Sequence, residues 1–137
     1  MEENRIELNT HKRINMDYSG KLVELRTNYA KVLLETTEEM AVDEFGLIHG
    51  GFIFSAADFC AMATINEPNV VLASSQNRFL APAQIGDEII FESELIFNEK
   101  RKQEVKVIGK IGEIKIFEGN FGTVVLDKHV LKLKISD

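Results

Sequence analysis

Residues 50 to 66 read GGFIFSAADFCAMATIN, and a helix over this stretch is apolar around nearly its whole circumference. It has no face to give to water, so other elements must enclose it on every side. Glu67-Pro68-Asn69 closes it, because proline disfavours a further turn and restricts the residue before it. Ahead of it, Lys21 to Thr37 (KLVELRTNYAKVLLETT) alternates and ends in β-branched residues, which predicts one long strand, with Glu38 to Leu47 as a loop. After it, Val70 to Leu80, Glu88 to Phe97, Glu104 to Ile111 and Lys115 to Leu126 carry β-branched or aromatic residues with partial period-two alternation. Turn residues separate them at 81–87, 98–103 and Gly112-Glu113. The order is strand, buried helix, four strands. The simplest arrangement is α+β, a long antiparallel sheet curled around one central helix. Residues 1–20 read as an N-terminal arm or short helix and 21–137 as a single domain, with Lys128 to Asp137 extending the last strand or trailing off.

The chain's 137 residues suit one domain, and its longest apolar stretches stop well short of the ~20 residues a membrane span needs. Sixteen Lys and Arg against 22 Asp and Glu give a formal net charge of −6, which argues against a broad basic surface for nucleic acid or acidic lipid. Neither nucleic acid nor membrane is expected as a partner. Met1-Glu2-Glu3-Asn4-Arg5 lacks the basic-then-apolar order of a secretory signal, so the expected location is the cytoplasm. The single cysteine, Cys60, makes no internal disulfide and has no cysteine neighbours to build a metal site; core packing is its expected role, and no metal is expected.

Between His49 and Glu67 the one charged side chain is Asp58, in AADFCAM, where its surroundings argue for burial. Two readings are open. Backbone or serine donors satisfy a buried carboxylate, or Asp58 is a general base or nucleophile facing a pocket. Gly46-Leu47-Ile48-His49-Gly50-Gly51 stands where loop becomes helix, so the N–H groups of Gly50 and Gly51 fall in the unsatisfied first turn. They form either a flexible turn capped by histidine or an oxyanion hole for a carbonyl under attack. His49 and Asp58 are nine residues apart. On a regular helix that is about 900° of rotation and about 13 Å of rise, so they point in opposite directions. A composite site across a dimer interface is the economical way to unite them.

Ser74, Ser75, Gln76 and Asn77 form a polar patch inside an apolar strand and can line a pocket across from the helix. His11 and His129 lie in the terminal regions, which leaves a Ser-His-Asp triad little support. The run Glu99-Lys100-Arg101-Lys102 is a solvated hairpin tip or a phosphate contact.

HGGFIFSAADFCAMA closely resembles the signature of hotdog-fold acyl-CoA thioesterases of the phenylacetate-pathway (PaaI-like) type. There His-Gly-Gly opens the central helix and an acidic residue follows nine positions after the histidine, where this chain has Asp58. Asn77-Arg78-Phe79-Leu80-Ala81-Pro82-Ala83-Gln84-Ile85-Gly86-Asp87 resembles the family's second feature, a strand ending Phe-Leu, then Pro-Ala, then Gly-Asp. The likeness spans about Lys21 to Leu126. It implies a hotdog fold, dimers joined sheet edge to sheet edge, either alone or as a dimer of dimers, and acyl-CoA at the dimer interface. Coenzyme A enters as part of the substrate, and no separate cofactor is implied. Residue by residue, Asp58 becomes base or nucleophile, Gly50 polarises the thioester carbonyl, and His49 positions that carbonyl or the loop. Gly51, Ser75, Asn77, Arg78, Lys100, Arg101 and Lys102 are the expected substrate contacts. One departure stands out. The family often has asparagine six residues before the histidine, orienting the attacking water, and this chain has Asp43, which when ionised accepts hydrogen bonds but donates none.

The leading expectation is acyl-CoA hydrolysis. The second is a non-catalytic acyl-CoA or acyl-lipid binding protein with a regulatory role, in which Asp43 marks altered chemistry. A hydratase of the same superfamily is the third, set back by motifs unlike His-Gly-Gly. A DNA-binding regulator normally adds a helix-turn-helix module, and about 19 residues before the first strand are too few for one.

Overall fold

A computed structural model of the chain describes residues 6–133. The apolar stretch forms α2 (Gly50–Ile65), preceded by the extended backbone of His49 and ended by Asn66. Asn66 takes the left-handed conformation, φ 56°, and its N–H donates to the Met62 carbonyl, a capping geometry that asparagine tolerates better than most residues. Pro68 then prevents resumption.

The sheet has six antiparallel strands: β1 (Lys21–Arg26), β2 (Tyr29–Glu35), β3 (Val70–Phe79), β4 (Glu88–Glu99), β5 (Lys102–Ile111) and β6 (Ile114–Val125), in spatial order β1-β2-β4-β5-β6-β3. With its long central helix this is the hotdog architecture, but with six strands rather than five. The expected single strand from Lys21 to Thr37 breaks at Thr27-Asn28, a two-residue turn that pairs Arg26 with Tyr29. Asn28, at φ 65°, supplies the left-handed residue such a turn needs. The charged run contracts in the same way. Lys100, at φ 57°, and Arg101 form the turn, and Glu99 already pairs with Lys102, so β4 and β5 outrun their expected ends. Within the expected 38–47 loop, Glu38–Met40 forms a 3-10 turn.

Along β2, β4, β5 and β6 the buried side chains alternate with charged ones. Ala30, Val32, Leu34, Ile89, Phe91, Val105, Val107, Phe117 and Phe121 are fully buried against α2. Lys31, Glu92, Glu94, Lys106 and Lys110 occupy the opposite face. The sheet covers only part of α2. The rest is closed by the N-terminal arm, which contains α1 (Met16–Ser19). His11 stacks on Phe59 at 6.4 Å, Tyr18 packs at a tilt on Phe52 at 5.8 Å, Ser19 Oγ meets Ser55 Oγ at 2.7 Å, and the Asn66 side chain bonds the backbone of Glu7 and Asn9. Phe52, Ser55, Phe59 and Asn66 share one helical stripe, so the arm supplies the layer that a helix without a polar face requires. In the tail, Val130–Lys132 form a 3-10 turn; residues 1–5 and 134–137, parts of the expected arm and tail, lie outside the described residues.

Inside the sheet, Gly109 faces two buried rings. A Cβ there would lie 2.8 Å from Phe91 Cε2 and 3.4 Å from Phe117 Cβ, and both phenylalanines are fully buried. Gly109→Ala is expected to lower stability by about 1–3 kcal/mol, the usual scale of overpacking. Urea denaturation of both forms checks this, and an unchanged midpoint would show that the Phe91 ring has room to yield.

Candidate functional site

His49 ends the loop with its N–H bonded to the Met40 carbonyl at 2.9 Å, while the Ile48 N–H bonds to the Ala83 carbonyl at 2.9 Å. These two bonds aim the first turn of α2. The Phe52 N–H closes back onto the His49 carbonyl at 3.1 Å, but among the described residues the N–H groups of Gly50 and Gly51 have no acceptor. Two adjacent free amides at the positive end of a sixteen-residue helix can receive a developing oxyanion. Position 51 requires glycine, whereas a Cβ at position 50 makes only ordinary contact. A Cβ on Gly51 would lie 2.7 Å from His49 Nε2, and one on Gly50 would touch Phe79 at 3.6 Å. The His49 ring is thus folded over Gly51, with Phe52 edge-on at 5.9 Å, and its nitrogens make no hydrogen bond among the described residues.

Asp58 sits further along α2. Its Oδ1 is buried with no hydrogen-bond partner, and desolvation pushes its carboxyl pKa up to about 6. Among the described residues no backbone or serine donor reaches that oxygen: Ser55, one turn earlier, is engaged with Ser19. Phe54, on the same helical face as Asp58, stacks on Phe121 of β6 at 5.6 Å, which places this face toward the β6–β3 side of the sheet. Eight residues of helix put Asp58 roughly 12 Å along the axis from Gly50. One protomer therefore does not bring Asp58 to the free amides. Cys60 is fully buried, its thiol on the carbonyls of Ala30 and Phe91 and its pKa pushed up by burial, in keeping with a packing role.

The remaining candidates divide. In β3, Ser75, Asn77 and Phe79 pair with Phe121, Gly119 and Phe117, so they lie on the helix side of the sheet. Asn77 donates to Ser75 Oγ at 3.0 Å and keeps a buried Oδ1 without a partner. Arg78 alternates to the outer face, where it meets Glu118 at 3.5 Å. Lys100, Arg101 and Lys102 are distant. Gly50 stands at the level of Phe79, whose register runs through Phe117 to Gly109, whereas Lys102 lies seven residues down β5, roughly 23 Å away. Arg101 is paired with Asp127 at 2.6 Å.

Asp43 is placed differently from a water-orienting residue. Its Oδ1 accepts the N–H groups of Phe45 at 3.0 Å and Leu47 at 3.2 Å, which commits that oxygen to holding its own turn. Asp43 and Glu44 are both exposed. The sequence offers Phe45 as a residue that shapes a pocket or fills the core, but does not show that it stands 86% exposed on this loop, with Phe79 52% exposed beside it. A signal for the turn itself was present in Asp43-Glu44-Phe45-Gly46, an Asx turn followed by a glycine that takes φ 83°.

The raised pKa of Asp58 has a thermodynamic consequence. Between about pH 4 and 6 the folded protein keeps a proton that the unfolded chain has released, so stability falls as pH rises through that window. The total loss is on the order of 2–3 kcal/mol, and Asp58→Asn should abolish it. Urea midpoints measured from pH 4 to 7 compare the two proteins; parallel curves would mean that Asp58 is solvated.

Comparison with known proteins bears on the family and the fold. A family model described as the thioesterase superfamily matches residues 45–116, which include both free amides, Asp58 and most of the sheet. An uncharacterised protein of Pyrococcus horikoshii, PH1136, is 41% identical with a TM-score of 0.92, over 93% of this chain and 98% of its own. A hypothetical thioesterase of Streptococcus pneumoniae, crystallised with coenzyme A, shares the fold at 15% identity and a TM-score of 0.72, over 80% of this chain and 87% of its own. Among curated proteins, a methylthioribose-1-phosphate isomerase of Aquifex aeolicus is 48% identical over 88% of this chain, and a transcription factor FapR of Caldanaerobacter subterraneus is 27% identical over 82%. The chain spans only 26% and 57% of those two proteins. The chain belongs to the thioesterase superfamily.

Proposed function

We propose that the chain hydrolyses acyl-CoA thioesters, as a PaaI-like hotdog thioesterase whose sites are each shared by two copies. The observation that carries this reading is an unpartnered, desolvated carboxylate, Asp58, on the same helix as two unpartnered amides, Gly50 and Gly51. One invites a proton and the other a negative charge. Asp58 takes a proton from water as the water oxygen attacks the thioester carbon, and the carbonyl oxygen becomes an oxyanion held by the Gly50 N–H. Collapse of that intermediate breaks the carbon–sulfur bond, and the coenzyme A sulfur leaves with the proton from Asp58. Donors of this kind are worth about 10²–10³ in rate, and a positioned base about 10²–10⁴.

The roughly 12 Å between Gly50 and Asp58 is what calls for a second copy. β3 is an edge strand ten residues long, with Arg78 its one charged residue, so it lacks the charges that usually protect an edge from pairing. Joining two β3 edges extends the sheet and brings the Asp58 faces of two helices toward each other's N-termini. The coenzyme A held by the pneumococcal neighbour supports the ligand class. The chain matches 26% of the isomerase's length, too little to carry that protein's reaction over.

A second reading, a non-catalytic acyl-CoA or acyl-lipid binding protein with a regulatory role, is favoured by the relative named as a transcription factor and by the engagement of Asp43 in its own turn. A thiol-release assay over a panel of acyl-CoAs, beside thermal shifts with the same panel, separates the two. Hydrolysis is expected, and Asp58→Asn should lower turnover at least ~100-fold with the fold retained. Thermal stabilisation without thiol release would establish the binding reading instead.

A further inference from the structure

The turn that carries Phe45 is pinned. Ala41 and Ile48 bridge as antiparallel partners, the Val42 N–H donates to the Leu47 carbonyl at 2.8 Å, and the Gly46 N–H donates to the Asp43 carbonyl at 3.2 Å. Asp43 Oδ1 holds the amides of Phe45 and Leu47, and the Ile85 N–H donates to the Gly46 carbonyl at 3.0 Å. Gly46 itself stands at φ 83° with Ile85 against it. An apolar ring on a mobile loop finds cover by moving. Here the backbone is fixed, and Phe45 is held 86% exposed.

Its surroundings have one character. Val42, Leu47, Phe79, Leu80 and Ile85 are each 40–55% exposed, and they come from two antiparallel segments, 42–50 and 79–87, joined by the bridge between Leu47 and Gln84. A contiguous exposed apolar strip marks a binding surface rather than ordinary solvent contact. Its other end is the candidate site, since Gly50 lies against Phe79. A cleft of about 240 Å³ lined by Phe45, Leu47, Pro82, Ala83, Gln84 and Asp87 opens along it. A carbonyl on the Gly50 and Gly51 amides therefore has an apolar path leading away to Phe45. Five residues separate Gly50 from Phe45, at most roughly 18 Å, a distance that a long acyl group can span.

We propose that Phe45 contacts the distal part of a long acyl group, and that Asp43 is a positioning residue that holds the Phe45 turn in place. This rests on the thioester reading, and it gives Asp43 a task other than orienting water. Asparagine at position 43 offers the same acceptor to the same two amides, whereas alanine offers none.

The test is calorimetric titration of coenzyme A itself and of non-hydrolysable thioether analogues with short and long acyl chains, with sedimentation run in parallel. Phe45→Ala and Asp43→Ala should each weaken the long-chain analogue about tenfold while short-chain and coenzyme A binding hold, the scale expected for losing one aromatic contact. Asp43→Asn should restore the chain-length discrimination that Asp43→Ala loses. Equal loss on every ligand, or no loss on the long chain, overturns the assignment. So does dissociation of Phe45→Ala into smaller species, which would give the ring to a second copy of the chain. Failure of the unaltered protein to bind any of these ligands overturns the thioester reading, and the role of Phe45 with it.

Discussion

The enclosure of α2 governs the rest of the structure. A helix with no polar face is stable only when covered all round, and at about 25 cal/mol per Å² that coverage is the main favourable contribution available to a domain of this size. The six-stranded sheet supplies most of it and the N-terminal arm the remainder, through His11, Tyr18 and Ser19. The same enclosure makes the site. It shields Asp58 Oδ1 from water, and it leaves the first amides of the helix where the loop and the end of β3 meet. Thr64 shows how strictly polar groups are handled elsewhere in this interior: its hydroxyl bonds the Ser93 hydroxyl at 2.8 Å and contacts the Cys60 carbonyl at 3.1 Å. Among the described residues Asp58 Oδ1 lacks a partner, as do Asn77 Oδ1 and Gln103 Oε1, and of these three side chains Asp58 alone is ionisable.

Much of the fold was legible because the strongest signals were local and periodic. The limits of α2 followed from Gly50 and Pro68, and four strands from alternation bounded by turn residues. The two turns misjudged, Thr27-Asn28 and Lys100-Arg101, contain neither glycine nor proline, and they depend on Asn28 and Lys100 taking left-handed backbone. Composition marks such turns weakly, since a non-glycine residue at positive φ is held there by strand pairing on both sides. The enclosing role of the arm was equally hard to read, because Leu8, His11, Ile14 and Tyr18 fall at the three- and four-residue spacing of a helix, yet only Met16–Ser19 is helical.

The site was legible as a set of residue types and less so as an arrangement. Gly50, Gly51 and Asp58 follow from one helical motif, and the structure leaves each of them unsatisfied. Asp43 invited a catalytic reading by position, but local hydrogen bonding to Phe45 and Leu47 governs its Oδ1, as is common for aspartate in a turn. Arg78 and the basic tip fail as neighbours of Gly50 for reasons of register: one lies on the outer face, the other at the far end of β5. Strand parity and register decide such questions, and neither can be fixed before the bulges in β3 and β4 are known.

The central claim is that the oxyanion donors and the carboxylate meet only between two chains. Two inactive parents test it, one carrying Asp58→Asn and the other Gly50→Pro. Position 50 is the first residue of α2, its N–H is unbonded, and His49 is already extended at ψ 129°, the backbone that a following proline prefers. After each parent is shown to fold and subunit exchange is confirmed, random mixing gives about half heterodimers, each with one intact site of two. The account predicts recovery of about a quarter of the unaltered activity. Confirmed heterodimers that stay inactive would contradict it and place the whole site within one chain.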